Sequence, residues 1–196
     1  MNGSLRGHDL LQDFVEQFGS LSVPLFALAI LALWFFARPG GSPRLKNATA
    51  SALVAAALGM LINQVIGHLW FRERPFATHP HDTLLLTHGS GDPSFPSDHA
   101  TAAFAIAFAV FFFSRRLGLV FLAAATAIGV SRVLLGLHYP GDVAAGALIG
   151  FLSALVVTTL GRPYVETGVR WLSRVSDPVV AGTTRWIATT RRSLRR

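Results

Sequence analysis

The 196-residue sequence predicts an all-α fold: a polytopic membrane bundle of five to six helices over residues 1–161, followed by a basic tail over 162–196. Three observations carry this prediction. Hydrophobic residues make up 52% of the chain and charged residues only 14%, whereas soluble domains average about 25% charged. Five apolar stretches approach or reach the roughly 17–25 residues that cross a bilayer. The basic residues fall mainly on one side of those stretches. No cysteine is present, which excludes disulfides and thiolate metal sites. The formal charge of +7 does not point to nucleic acid, because eight of the 17 basic residues lie after residue 161 and most others sit in short loops.

Residues 1–20 come first. Leu10, Leu11, Phe14, Val15 and Phe18 recur at helical spacing with Asp9, Asp13 and Glu16 between them. This pattern predicts a short amphipathic helix at the membrane interface. The positive start is weak and no small-residue cleavage site follows the apolar run, so a cleaved signal peptide is not expected. The five candidate spans follow at 21–37, 48–69, 97–113, 117–137 and 143–160. Ala52, Ala55, Ala56 and Gly59 in the second are small residues of the kind that let membrane helices approach closely. The 76–95 connector carries His79, His81, Asp82, His88 and Asp92 among Gly and Pro, and reads as an external loop or a lid. Irregular histidine spacing without a paired carboxylate argues against a metal there, and no metal or cofactor is expected. The tail mixes Trp171, Leu172, Val175, Trp186 and Ile187 with arginine, the pattern of a basic amphipathic segment resting on anionic lipid.

Charge then sets an expected orientation. With the N-terminus outside, Arg38, Arg44, Lys46, Arg115, Arg116 and the eight arginines from Arg162 onward lie inside, and only Arg6, Arg72, Arg74 and Arg132 lie outside. Basic residues favour the cytoplasmic side. The same orientation places all seven histidines and eight of the ten acids outside.

Three polar clusters stand at the outer ends of spans, where polar groups are costly unless they have a function. They are Arg72-Glu73-Arg74-Pro75, Pro96-Ser97-Asp98-His99, and the run Ser131-Arg132 to His138 and Asp142. Arg74 and Arg132 present donor forks that match phosphate oxygens. Ser97 and the neighbouring backbone N–H groups open a helix and can cradle an anion. Of His99 and His138, one can attack phosphorus while the other protonates the leaving oxygen. Asp142 can hold an imidazole in one tautomer. Together these groups suit phosphoryl transfer without an obligatory metal.

These clusters resemble the three signatures of the type 2 phosphatidic acid phosphatase superfamily, the integral-membrane relatives of vanadium haloperoxidases: KxxxxxxRP, PSGH and SRxxxxxHxxxD. The third is complete from Ser131 to Asp142. The second reads Pro96-Ser97-Asp98-His99, with Asp for the common Gly. The first keeps Arg74-Pro75 but has Gly67 at its Lys position, and the chain's only lysine, Lys46, is expected on the opposite side. The resemblance implies His138 as nucleophile, Asp142 as its orienting acid and His99 as general acid. It implies Arg74, Arg132 and Ser97 as phosphate ligands, with Arg72 or His68 substituting for the Lys. The Asp98 variant is similar to the bacitracin-resistance type of undecaprenyl-diphosphate phosphatases. That implies an enzyme of the bacterial cell membrane acting on a polyprenyl diphosphate at the external face. Asp98 beside an anionic substrate needs protonation or a partner such as Arg72. Another lipid phosphate as substrate, or a non-catalytic lipid-binding or transport member, are the alternatives.

Overall fold

A computed structural model describes residues 9–36, 43–81, 83, 85 and 91–193. Among them lie seven helices: α1 (Asp9–Phe36), α2 (Arg44–Leu69), the single turn α3 (Pro75–Thr78), α4 (Asp98–Phe113), α5 (Arg115–Leu134), α6 (Pro140–Thr159) and α7 (Arg162–Ser193). The all-helical prediction holds. Helices α2, α5 and α6 are long and apolar enough to cross a membrane, while α4 and the Pro24–Phe35 part of α1 are apolar but shorter. The amphipathic segment expected before residue 21 is not separate. It continues into the first apolar stretch as one helix, with Pro24 inside it. Asp82 and His88 lie outside the described residues, as do the side chains of Leu11, Phe14, Val15, Trp186 and Ile187.

Helix α4 is the centre of the bundle, packed against α1, α2, α5 and α6. Its inner positions are small: Ala100, Ala103, Ala105, Ala107 and Ala109 are buried, as are Ala48, Ala52 and Ala55 of α2 and Ala154 of α6. Large apolar side chains such as Leu28, Leu61, Val65, Leu119, Val120 and Leu148 are exposed instead. That inversion suits a lipid solvent, where close backbone packing rather than expulsion of apolar surface holds helices together. Glycines set the closest approaches. A Cβ at Gly150 would lie 2.7 Å from the Thr101 carbonyl oxygen, and one at Gly146 would lie 2.8 Å from that of Ser97. A Cβ at Gly59 would meet Thr101 Cγ2 at 2.7 Å, so α2 also presses on α4 at the Thr101 level.

The two ends of the bundle differ. One end gathers the C-termini of α2 and α5 and the N-termini of α4 and α6, which carry the three polar clusters. At the other, Lys46 is buried in an ion pair with Asp177 of α7, bonds Ser173 Oγ at 3.2 Å, and stands 5.6 Å from the Trp34 ring centroid. Lys46 is therefore remote from the clusters, as expected. The tail is a helix docked on α2 through these contacts and buried Val169, with Tyr164, Trp171, Leu172 and Val175 exposed along it.

Candidate active site

The spacing of the third cluster has a local structural cause. Helix α5 ends in a Schellman motif: Gly136 N–H bonds the Val133 carbonyl at 3.1 Å and Leu137 N–H bonds the Arg132 carbonyl at 3.1 Å. Gly136 carries the required positive φ of 75°, which costs a side-chain-bearing residue but not glycine. This reversal ends the helix at Leu134 rather than at the expected 137. His138 N–H returns to the same Arg132 carbonyl at 3.3 Å, so arginine and histidine are tied by one oxygen. Tyr139 then caps α6, Pro140 takes its first position, and Asp142 Oδ2 accepts the Tyr139 N–H at 2.8 Å. The five- and three-residue intervals are thus one helix stop and one helix start placed back to back.

His138 is buried between two groups that fix its tautomer. Its Nδ1 lies 2.8 Å from the Ser94 carbonyl oxygen, which can only accept. Its Nε2 lies 3.4 Å from Arg74 Nη1, which can only donate. Nδ1 therefore carries the proton, and Nε2 presents a lone pair. Asp142 Oδ2 stands 3.8 Å from Nδ1, in ion-pair range of the ring when it is protonated but beyond hydrogen-bond distance. The fully buried carboxylate accepts Ser94 Oγ–H at 2.6 Å and Arg72 Nη1–H at 2.8 Å. Asp142 thus braces Ser94, and the Ser94 backbone holds the imidazole. Ser94 is fully buried and its N–H donates to the Arg72 carbonyl at 2.8 Å.

A cavity of about 780 Å³ opens beside His138. Its lining includes His99, Arg74, Arg132, Asp98, Asn63 and His68, so one wall draws on all three clusters. Gly67 and Phe71 of the α2 end also line it. Burial pushes the Arg74 guanidinium below its ordinary pKa, while Asp92, Asp98 and Asp142, in that order, hold it up. Arg132 is anchored from α1: its Nη2 donates to the Gly19 carbonyl and lies 3.4 Å from Ser22 Oγ. Its buried Nε has no protein partner among the described residues.

Other expected ligands are placed differently. Arg72 does not line the cavity. It is committed to Asp142, with its guanidinium carbon 3.9 Å from the Tyr139 ring centroid. Nor does it pair with Asp98, whose Oδ1 accepts the Asn63 amide at 2.8 Å. Of the two substitutes for the missing lysine, only His68 faces the cavity; its Nδ1 bonds the Gln64 carbonyl at 2.8 Å. Ser97 is fully buried, its Oγ has no partner among the described residues, and its N–H is taken by the Asp142 carbonyl at 3.1 Å, so it stands behind the lining. His79 and His81 are exposed on the connector, and no group of metal-binding side chains forms among the described residues.

The PAP2 superfamily matches residues 48–164. This chain belongs to the PAP2 superfamily. Two curated relatives are similar over most of their length. The bacitracin transport permease protein BcrC of Bacillus licheniformis is 36% identical over 75% of each chain. The undecaprenyl-diphosphatase BcrC of Bacillus subtilis is 32% identical over 83% of this chain and 81% of its own. Among solved structures, LpxE of Aquifex aeolicus superposes with a TM-score of 0.63 at 26% identity, over 77% of this chain and 87% of LpxE. The superfamily match begins inside α2, so the α1 groups that anchor Arg132 lie outside it.

Sequence reasoning missed Ser94, Asn63, Gly19 and Ser22. Ser94 acts through its carbonyl, which no residue type announces. Asn63 is a single buried amide in an apolar run, and that polarity was the one available signal.

Proposed function

We propose that this multi-pass membrane phosphatase hydrolyses a polyprenyl diphosphate, of the undecaprenyl class, to the monophosphate through a phosphohistidine. Membership of the superfamily makes the chain a lipid phosphatase. The substrate reading is supported by the diphosphatase relative and by Asp98 in the second motif. The single observation that carries the mechanism is the fixed tautomer of His138, which leaves Nε2 unprotonated beside Arg74 on a residue that lines a cavity together with Arg132 and His99.

The step follows from those positions. Nε2 of His138 attacks the terminal phosphorus as the bond from phosphorus to the bridging oxygen breaks. Arg74 and Arg132 carry the charge on the non-bridging oxygens. Protonated His99 gives its proton to the leaving oxygen of the lipid monophosphate. Attack leaves both imidazole nitrogens of His138 bonded, so the ring is cationic, with Nδ1–H still held by Ser94 and Asp142 nearby. Water then attacks the phosphohistidine, neutral His99 takes its proton, and the N–P bond breaks to release phosphate.

The reading places the site at the external face, with the N-terminus outside and the C-terminus cytoplasmic. The bias of basic residues toward the end occupied by Lys46 and α7 supports this. The α7 helix then lies on anionic lipid of the inner leaflet. Purified protein is expected to release phosphate from the diphosphate in chelator, with an acid-labile phosphoenzyme that His138→Ala lacks. Full activity in His138→Ala would sink the mechanism. Because the chain has no cysteine, single cysteines at Thr78 and Thr167 report topology against an empty background. An impermeant maleimide should label only the first in intact cells; the reverse pattern overturns the orientation.

A further inference from the structure

An acidic side chain in an anion-binding cavity is a liability, because it repels the ligand and competes for the cations that bind it. Asp98 lines the cavity beside Arg74, His99 and Arg132, and is one of the three carboxylates that hold the Arg74 pKa up. Arg74, a cation that would bind phosphate, is thus within electrostatic reach of the Asp98 carboxylate. What keeps it apart is built into the α2–α4 contact. Asp98 and Thr101 lie one turn apart on α4 and share the face that meets Asn63. Asn63 is buried, its amide nitrogen donating to Asp98 Oδ1 at 2.8 Å and to Thr101 Oγ1 at 2.9 Å, while Thr101 Oγ1 returns a bond to Asn63 Oδ1 at 3.3 Å. Both amide protons are therefore committed and the amide orientation is fixed. Gly59, one turn before Asn63, lets the two helices come close enough for this, since its Cβ would meet Thr101 Cγ2 at 2.7 Å.

We infer that Asn63 is a positioning residue that holds the Asp98 carboxylate against α2 and so keeps Arg74 and Arg132 available to the substrate phosphates. This rests on the phosphatase reading above. With Asn63 removed, the carboxylate turns to the cavity cations and becomes an internal competitor for phosphate. The enzyme then loses affinity through a group still present, and deleting that group restores it. A merely structural amide would show no such rescue.

The test is a double-mutant cycle on the full chain in detergent, measuring phosphate release from farnesyl diphosphate and competitive inhibition by orthovanadate. Asn63→Ala is expected to raise KM and the vanadate inhibition constant about tenfold, the scale of one charged hydrogen bond, with a smaller change in kcat. In an Asp98→Gly background the same substitution should leave both constants where Asp98→Gly alone sets them. Thr101→Val removes the other partner of Asn63 while leaving the Asp98 bond, and should change KM little. Asn63→Ser replaces Asn63→Ala if the latter does not fold. An active wild type with unchanged KM in Asn63→Ala, or an equal KM increase in both backgrounds, overturns the inference alone. A wild type that releases no phosphate from any polyprenyl diphosphate overturns the phosphatase reading, and this inference with it.

Discussion

The two ends of the bundle treat their cations in opposite ways. At the far end, Lys46 is consumed by Asp177 and Ser173, and Arg44 Nε bonds the Phe113 carbonyl at 2.6 Å. Those charges close helix ends and tie α7 to the bundle. At the site end, Arg132 is held by one edge, through Gly19 and Ser22, while its Nε has no protein partner among the described residues. Arg74 bonds the Asp92 carbonyl at 3.0 Å through Nε and keeps Nη1 beside His138. Cations at one end are joints; at the other they are supported from behind and face a cavity. Function in a helical membrane protein is marked by how a charge is held rather than by its presence.

Substitutions at either end test this contrast. The largest effect is expected for His138→Ala, which should reduce turnover to background because it removes the proposed nucleophile; steady-state kinetics with a phosphoenzyme trap checks it. His99→Ala should follow, lowering kcat by about 10²–10⁴, the usual contribution of a general acid. That loss should shrink with a substrate whose leaving group needs no proton, such as p-nitrophenyl phosphate. Arg74→Ala removes one charge-assisted donor and should cost about 10–100-fold in kcat/KM. Ser94→Ala keeps the carbonyl that holds His138 but takes one bond from Asp142, and should cost about tenfold in kcat with KM nearly unchanged. At the far end, Lys46→Met should lower the melting temperature, because Asp177 loses its partner, yet leave kcat/KM per folded molecule unaltered. Loss of activity without loss of stability in Lys46→Met would dissolve the contrast between the ends.

Much of this was readable in the sequence because the bilayer imposes strong patterns. Apolar stretches became helices, and the three polar clusters converged because each stood at a span end on the same side. What was not readable depended on contacts rather than residue types. The spacing suggested that Asp142 holds the imidazole, and its Oδ2 does stand 3.8 Å from Nδ1, but the same carboxylate also caps α6 and binds Ser94 and Arg72, which the spacing did not announce. Arg72 was expected as a substitute for the first-motif Lys missing at Gly67, yet its bond to Asp142 and its place over Tyr139 give it a different role. The amphipathic start and the first apolar stretch looked like two elements because composition changes near residue 21, but no helix-stopping signal separates them, and Pro24 does not end the helix.

The Ser94 carbonyl has an experimental consequence. Every standard substitution at position 94 keeps that oxygen, so conventional mutational scanning is blind to the group that orients the imidazole. A scan would credit Ser94 only with its hydroxyl and record a modest residue in a decisive place. Backbone chemistry is the appropriate probe: replacing residue 95 by its hydroxy-acid analogue turns the 94–95 amide into an ester, whose carbonyl is a weaker acceptor. A proton-sensitive nitrogen resonance of His138 would then read the tautomer directly, separating the part of the site written in side chains from the part written in the main chain.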